Sequence, residues 1–221
     1  PNIPVNNPEN PVPGLVDTTD YLFQAYSLDI NDRMRDGRNP SLRTFFDVHD
    51  IAIPRGFGYH PNTAAHPPME PWTVFEDDYV KVSATLVDHF PIVPAFGFRF
   101  DTDQGSVVFS GHTAPSDNLV RLAQGADILV HEVIAEQWVQ TLYPKPWTDN
   151  NIAQMNHLMT AHTLPEDCGK IAERAGVDTL VLSHIVPGFA PDNWLTPAKK
   201  HFSGKLVIGR DLMELGIGSR S

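Results

Sequence analysis

Cysteine is nearly absent. Cys168 stands alone in 221 residues, so no internal disulfide framework holds this chain, and the compartment stays undecided on that ground. Its place inside a helical pattern reads as buried filler rather than as a reactive thiol. Basic charge is scarce too. Sixteen Lys and Arg face 27 Asp and Glu, for a net charge of −11, and only Lys199 and Lys200 are adjacent. With no cluster of cations to track a phosphate backbone, the composition argues against a nucleic-acid partner. No apolar run approaches the ~18 residues of a membrane span, so no membrane partner is expected. A starting methionine and a signal-peptide pattern are both missing from Pro1-Asn-Ile-Pro-Val-Asn-Asn-Pro8. From that opening we expect the natural N-terminus to have been removed.

What is present suits one α/β domain with an arm. Residues 1–14 hold five prolines and read as an extended arm, leaving 15–221 as the domain. Tyr21, Leu22, Ala25, Tyr26 and Leu28 fit a helical period, which predicts a helix over 17–36 that stops at Asp36-Gly37. From Pro54 to Trp72 the proline density predicts a long loop. Strands are expected at 79–86, 93–100, 106–109, 128–130, 179–182 and 205–209, and the turn 101–105 makes a hairpin of the second and third. Helices are expected from a Ser116 cap to about 124, and over 134–143, 149–160 and 165–175. Strands that alternate with helices in this way indicate a layered α/β domain.

Histidines end the apolar runs. His112 follows Val107-Val-Phe-Ser-Gly111, His131 follows Asp127-Ile-Leu-Val130, and His184 follows Thr179-Leu-Val-Leu-Ser183. His89 stands in Ala84-Thr-Leu-Val-Asp-His-Phe-Pro91. Imidazoles are good zinc ligands, and strand tips fix the spacing that a metal site needs. One such histidine is weak evidence, because most are hydrogen-bonded rim groups; several together point to a metal site on the edge of a sheet. His89, His112 and His184 are the candidate ligands, provided that their strands lie side by side. The aromatics Trp72, Phe90, Phe96, Phe98, Trp138 and Trp147 are more readily core than pocket, while Asp50, Asp77 and Asp78 read as a solvated face.

Taken in order, these segments resemble the C-terminal half of the metallo-β-lactamase fold hydrolases, on the branch with ribonuclease Z and the arylsulfatase-like enzymes. The matching pieces are Asp88-His89 with Pro94-Ala-Phe-Gly-Phe-Arg-Phe100, then Val107-Val-Phe-Ser-Gly-His-Thr113 with Ser116-Asp-Asn-Leu119. Leu129-Val-His-Glu132, His162 with Pro165-Glu166, Ala175-Gly-Val-Asp-Thr-Leu-Val-Leu-Ser-His184 and Arg210-Asp-Leu-Met213 complete them. They span about 75–215. The resemblance implies an αββα sandwich, lacking its N-terminal half in this chain, and one or two zinc ions. It also implies metal ligation by His89 and His184, and a catalytic pair in which Glu132 orients His162 to protonate the leaving group. Read blandly, Glu132 meets a rim amide and Thr163-Leu-Pro-Glu166 forms a capping box.

Two departures stand out. His112 occupies the place of an aspartate that bridges two metals in the family, and a neutral imidazole binds one metal through one nitrogen, which favours a mononuclear or asymmetric centre. The family's histidine-rich first motif is absent, and neither His49-Asp50 nor His60 and His66 replace it. The leading expectation is a zinc-dependent hydrolase of a small, partly apolar ester, lactone, sulfate or phosphate ester or carbon–halogen substrate. The alternatives are a tRNA-processing nuclease and a non-catalytic metal-binding or interaction protein. The apolar helices are compatible with a homodimer.

Overall fold

The computed structural model describes residues 6–10, 12–89 and 91–218; Phe90 and part of the proline-rich arm lie outside them. The chain divides into two compact units, residues 1–53 and 54–221. In the first, the helix expected over 17–36 is two helices, α1 (Leu15–Ala25) and α2 (Ser27–Arg35). The break has a local cause: the Ser27 hydroxyl donates back to the carbonyls of Phe23 and Gln24, in competition with the helical ladder. Asp50 is not merely solvated. Gly14 precedes α1 without a side chain to cap it, and the Asp50 carboxylate accepts the Leu15 amide at 2.6 Å instead.

The second unit is built on a seven-stranded sheet in sequential order: β1 (Trp72–Glu76), β2 (Lys81–Leu86), β3 (Phe96–Thr102), β4 (Gly105–Phe109), β5 (Ile128–Ile134), β6 (Thr179–Val186) and β7 (Lys205–Ile208). β1 escapes the sequence pattern, because Trp72-Thr-Val-Phe-Glu76 follows a proline loop and lacks clean alternation. The pairs from β1 to β4 are antiparallel; those from β4 to β7 are parallel. Two reversals bring β2 back to the direction of β4. The C-terminal ends of β2, β4, β5, β6 and β7 therefore share one edge of the sheet.

Parallel strands require crossovers, and helices supply them. α3 (Asp117–Leu122) joins β4 to β5, and α4 (Glu136–Val139), α5 (Asp149–Ala161) and α6 (Pro165–Ala175) join β5 to β6. α7 (Asp192–Leu195) and a 3₁₀ turn over Thr196–His201 join β6 to β7. Ser116 caps α3 by accepting the Leu119 amide. The core lies between one face of the sheet and this helical layer. Val108, Leu129, Val133, Leu180 and Leu182 pack there against Leu119, Leu122, Ile171, Ala172, Leu195 and Ala198. Close packing sets the sequence locally: a Cβ on Gly169 of α6 would stand 2.1 Å from the Ala198 carbonyl oxygen. Trp138 and Trp147 join a satellite cluster around Ile134, Val139 and Met155 instead of a pocket. The helix expected over 134–143 shrinks to four residues ahead of Pro144.

Candidate metal centre at the strand tips

Each histidine in question leaves the sheet at the shared edge. β2 runs into Val87-Asp-His89, and β4 turns through Ser110-Gly111 to His112. β5 carries His131 and Glu132 near its end, and β6 carries His184. His162 arrives from the helical layer as the residue that ends α5. Open parallel sheets place their ligands outside the carboxyl ends of the strands, and the sheet topology brings His89, His112, Glu132 and His184 to that edge.

The imidazoles gather around His112. Its ring centroid lies 3.8 Å from that of His89, 4.0 Å from His162 and 4.9 Å from His184. His112 Nε2 is 3.0 Å from both nitrogens of His162, so it sits over that ring instead of facing one lone pair. Ligand atoms of His112, Glu132 and His162 all fall within 4.8 Å of one another. His66 and Asp88 flank the group with an Nε2–Oδ1 contact of 3.2 Å.

Two backbone features aim these rings. Gly111 has φ of +66°, and a Cβ there would meet the Phe96 carbonyl oxygen at 2.3 Å, so only glycine fits the turn that presents His112. His184 is the extra residue of a β-bulge. Glu132 pairs with Ser183 and Val133 with Ile185, which leaves His184 between them at φ of +41°. A left-handed φ at a residue other than glycine is uncommon, and bulges recur where a side chain must be re-aimed beside a site.

Burial and crowding disfavour the charged form of two of these rings. His112 is lowered from 6.5 to about 4, first by burial and then by the neighbouring imidazoles His162, His89 and His184. Burial and His162 lower His89 as well. Neutral imidazoles have the free lone pairs that a cation needs. His89 Nδ1 is buried with no hydrogen-bond partner among the described residues, the kind of atom that a metal ion satisfies. The donor atoms close enough to share one ion are those of His112, Glu132 and His162, a nitrogen and carboxylate set that fits zinc or a similar divalent ion; His89 and His184 stand outside that group, beside His112.

Glu132 does two things at once. Its Oε2 accepts the Nδ1 proton of His162 at 2.9 Å, and its Oε1 accepts the Thr163 amide at 2.8 Å. The capping box is not formed: Leu164 is the N-cap residue of α6 and makes no side-chain cap, while the Thr163 hydroxyl turns to the Thr113 carbonyl. His131 points into the core, fully buried, with Nδ1 on the Glu132 carbonyl at 2.7 Å. Cys168 donates to the same carbonyl at 3.3 Å, and its thiol pKa is pushed up by burial and by the Glu132 charge. Sequence patterning does not reveal that Thr113, Thr163 and Ser110 support the cluster, since a buried threonine carries no motif. A cavity of about 760 Å³ runs along the other face of the sheet, between Val107, Phe109, Val130 and Val181, with His184 at its rim.

A family model described as the β-lactamase superfamily domain matches residues 36–185. The chain belongs to the metallo-β-lactamase superfamily. Among curated relatives, a protein named putative ribonuclease Z from Mycobacterium tuberculosis (strain CDC 1551) is 33% identical over 180 residues, covering 78% of this chain and 76% of that one. One named ribonuclease Z from Mycobacterium marinum is 29% identical over 216 residues, covering 94% and 66%. Among solved structures, the metallo-β-lactamase fold protein YhfI of Bacillus subtilis matches with a TM-score of 0.47 at 23% identity, over 64% of this chain and 50% of that one. The human short-form tRNase Z matches with a TM-score of 0.44 at 20% identity, over 67% and 46%. The chain spans 62% of the ribonuclease Z of M. tuberculosis H37Rv and about half of these solved structures. The names of the curated relatives overturn one expectation, that an acidic composition argues against a nucleic-acid partner. Net charge sums the whole surface, whereas a strand is held by the local potential of a site, which a bound cation can invert.

Proposed function

We propose that this chain carries part of a metal-dependent phosphodiesterase that cleaves RNA, in the manner of its ribonuclease Z relatives. The observation behind this reading is the buried Glu132–His162 pair, 2.9 Å apart, packed against His112 in a four-histidine cluster. His89, His112 and His184 would hold the cation. When bound, it supplies Lewis acidity toward a phosphoryl oxygen and charge against the anionic substrate.

The remaining work falls to His162 and Glu132. Glu132 fixes the Nδ1 proton of His162 and stabilises the ring once it carries a second proton. His162 Nε2, 3.0 Å from His112 Nε2 here, delivers that proton to the departing oxygen once His112 is turned to the cation, a contribution of about 10²–10⁴-fold for a well-placed general acid. The Thr163 amide holds the other Glu132 oxygen, so the carboxylate cannot rotate away.

A second reading, hydrolysis of a small and partly apolar ester, draws on the half-buried aromatic group Phe57, Trp72, Phe96 and Phe98 and on the net charge of −11. One experiment separates the two. The zinc-loaded natural protein is given a tRNA precursor with a 3′ extension and, separately, p-nitrophenyl esters. Endonucleolytic cleavage of the RNA, lowered about 10²-fold or more by His162→Ala, supports the nuclease. Ester cleavage with intact RNA overturns it in favour of the second reading, and loss of neither activity with His162→Ala removes the proposed acid.

A further inference from the structure

The sheet fixes only the roots of the histidine segments. Beyond the last ladder bonds, the tips at 88–89, 110–113 and 162–163 must be held by something else. The same few buried groups recur behind all three. Thr113 and Thr163 are both fully buried, and each directly follows a clustered histidine. The Thr163 hydroxyl donates to the Thr113 carbonyl at 2.7 Å. The Thr113 hydroxyl divides its proton between the Ala114 carbonyl at 2.6 Å and the Asp88 carbonyl at 3.2 Å, just before His89, and the Ala114 amide donates to that Asp88 carbonyl at 2.7 Å. Ser110 adds a tie to β5, where its hydroxyl accepts the Glu132 amide at 3.1 Å. These bonds form a chain from Asp88 through Thr113 and Thr163 to Glu132.

We infer that Thr113 and Thr163 are positioning residues, a buried latch that sets the spacing of His89, His112 and His162 before any cation arrives. The inference concerns how the site proposed above is preorganised, and it rests on that reading for its purpose but not for its test. Neither hydroxyl reaches into the cluster. They act on the carbonyls beside the histidines, so their loss loosens the rings without removing a ligand. Groups that orient ligands in this way typically cost about 10–100-fold in metal affinity when removed.

Thr163→Val keeps the shape and deletes the hydroxyl; Thr163→Ser restores it. In the metal-free natural protein, hydrogen exchange is read at the amides of positions 114 and 163 and at the core amide of Leu182. With Thr163→Val, exchange at 114 and 163 should quicken about 10-fold or more while Leu182 stays as in the parent, and Thr163→Ser should return both toward the parent rate. Zinc titration by calorimetry should show affinity about 10–100-fold weaker for Thr163→Val and near the parent for Thr163→Ser. Val108→Ala, a core variant beneath the sheet, controls for lost stability. Unchanged exchange at 114 and 163, or equal quickening at Leu182, overturns the latch. So does a zinc affinity that Val108→Ala weakens as much as Thr163→Val. A parent protein that binds no zinc counts against the hydrolase reading, and exchange still decides the latch.

Discussion

Gly111 offers the sharpest test of how the site is held, because Gly125 is its built-in control. Both have left-handed backbones, φ of +66° and +62°, and both would gain the same methyl group on substitution by alanine. At Gly125 nothing lies within 4 Å of the new Cβ, whereas at Gly111 the Phe96 carbonyl oxygen lies at 2.3 Å. The left-handed conformation costs an L-residue about 1–2 kcal/mol at either position. Restricting the unfolded chain returns about 0.4–1 kcal/mol in both. Only Gly111 adds a clash, of the overpacking kind that costs about 1–3 kcal/mol after neighbours shift. Gly111→Ala should therefore be less stable than Gly125→Ala by about 1–3 kcal/mol in urea. All four tryptophans (72, 138, 147 and 194) lie in the unit over residues 54–221, so their fluorescence follows the right part of the chain. Relief of the clash moves the turn that carries His112, so zinc affinity should fall in Gly111→Ala and hold in Gly125→Ala. Equal stabilities for the two variants would refute the close approach and, with it, the account of how His112 is presented.

Glu132→Gln keeps an acceptor for His162 but removes the charge that stabilises its protonated ring. If the proposed RNA cleavage holds, its turnover number should drop by about 10²–10⁴-fold with little change in KM, read by steady-state kinetics on a tRNA precursor. The metal-free protein should lose stability as pH falls from 6.5 toward 4. His112 binds its proton more readily unfolded than folded, so this contribution is complete above 6.5 and gone once pH passes its folded value of about 4. Urea midpoints across that range check the slope, and His112→Asn should flatten it.

Much of the arrangement is legible in the order of residues. An apolar run that ends in histidine predicts a tip, and four such runs predict a shared edge if the strands are parallel. Direction is the missing part: β2 joins the parallel strands only because two antiparallel pairings reverse the chain twice, and no local pattern carries that count. The resemblance supplied the roles of Glu132 and His162, while the bonds that tie them to Thr163 and Thr113 are contacts between residues 30 to 50 positions apart. The break between α1 and α2 was hidden for the opposite reason. Its cause is one serine hydroxyl, too local to disturb a helical period.

The bulge at His184 sets sheet regularity against the site. Removing one residue between Ser183 and Ile185 would let β5 and β6 pair without interruption, and it would return Ile185 and Val186 to the alternation of the residues before them. The shortened strand would be the better β-structure and would offer no imidazole at that position. The extra residue therefore trades regular pairing at this point of the sheet for an imidazole turned toward the edge.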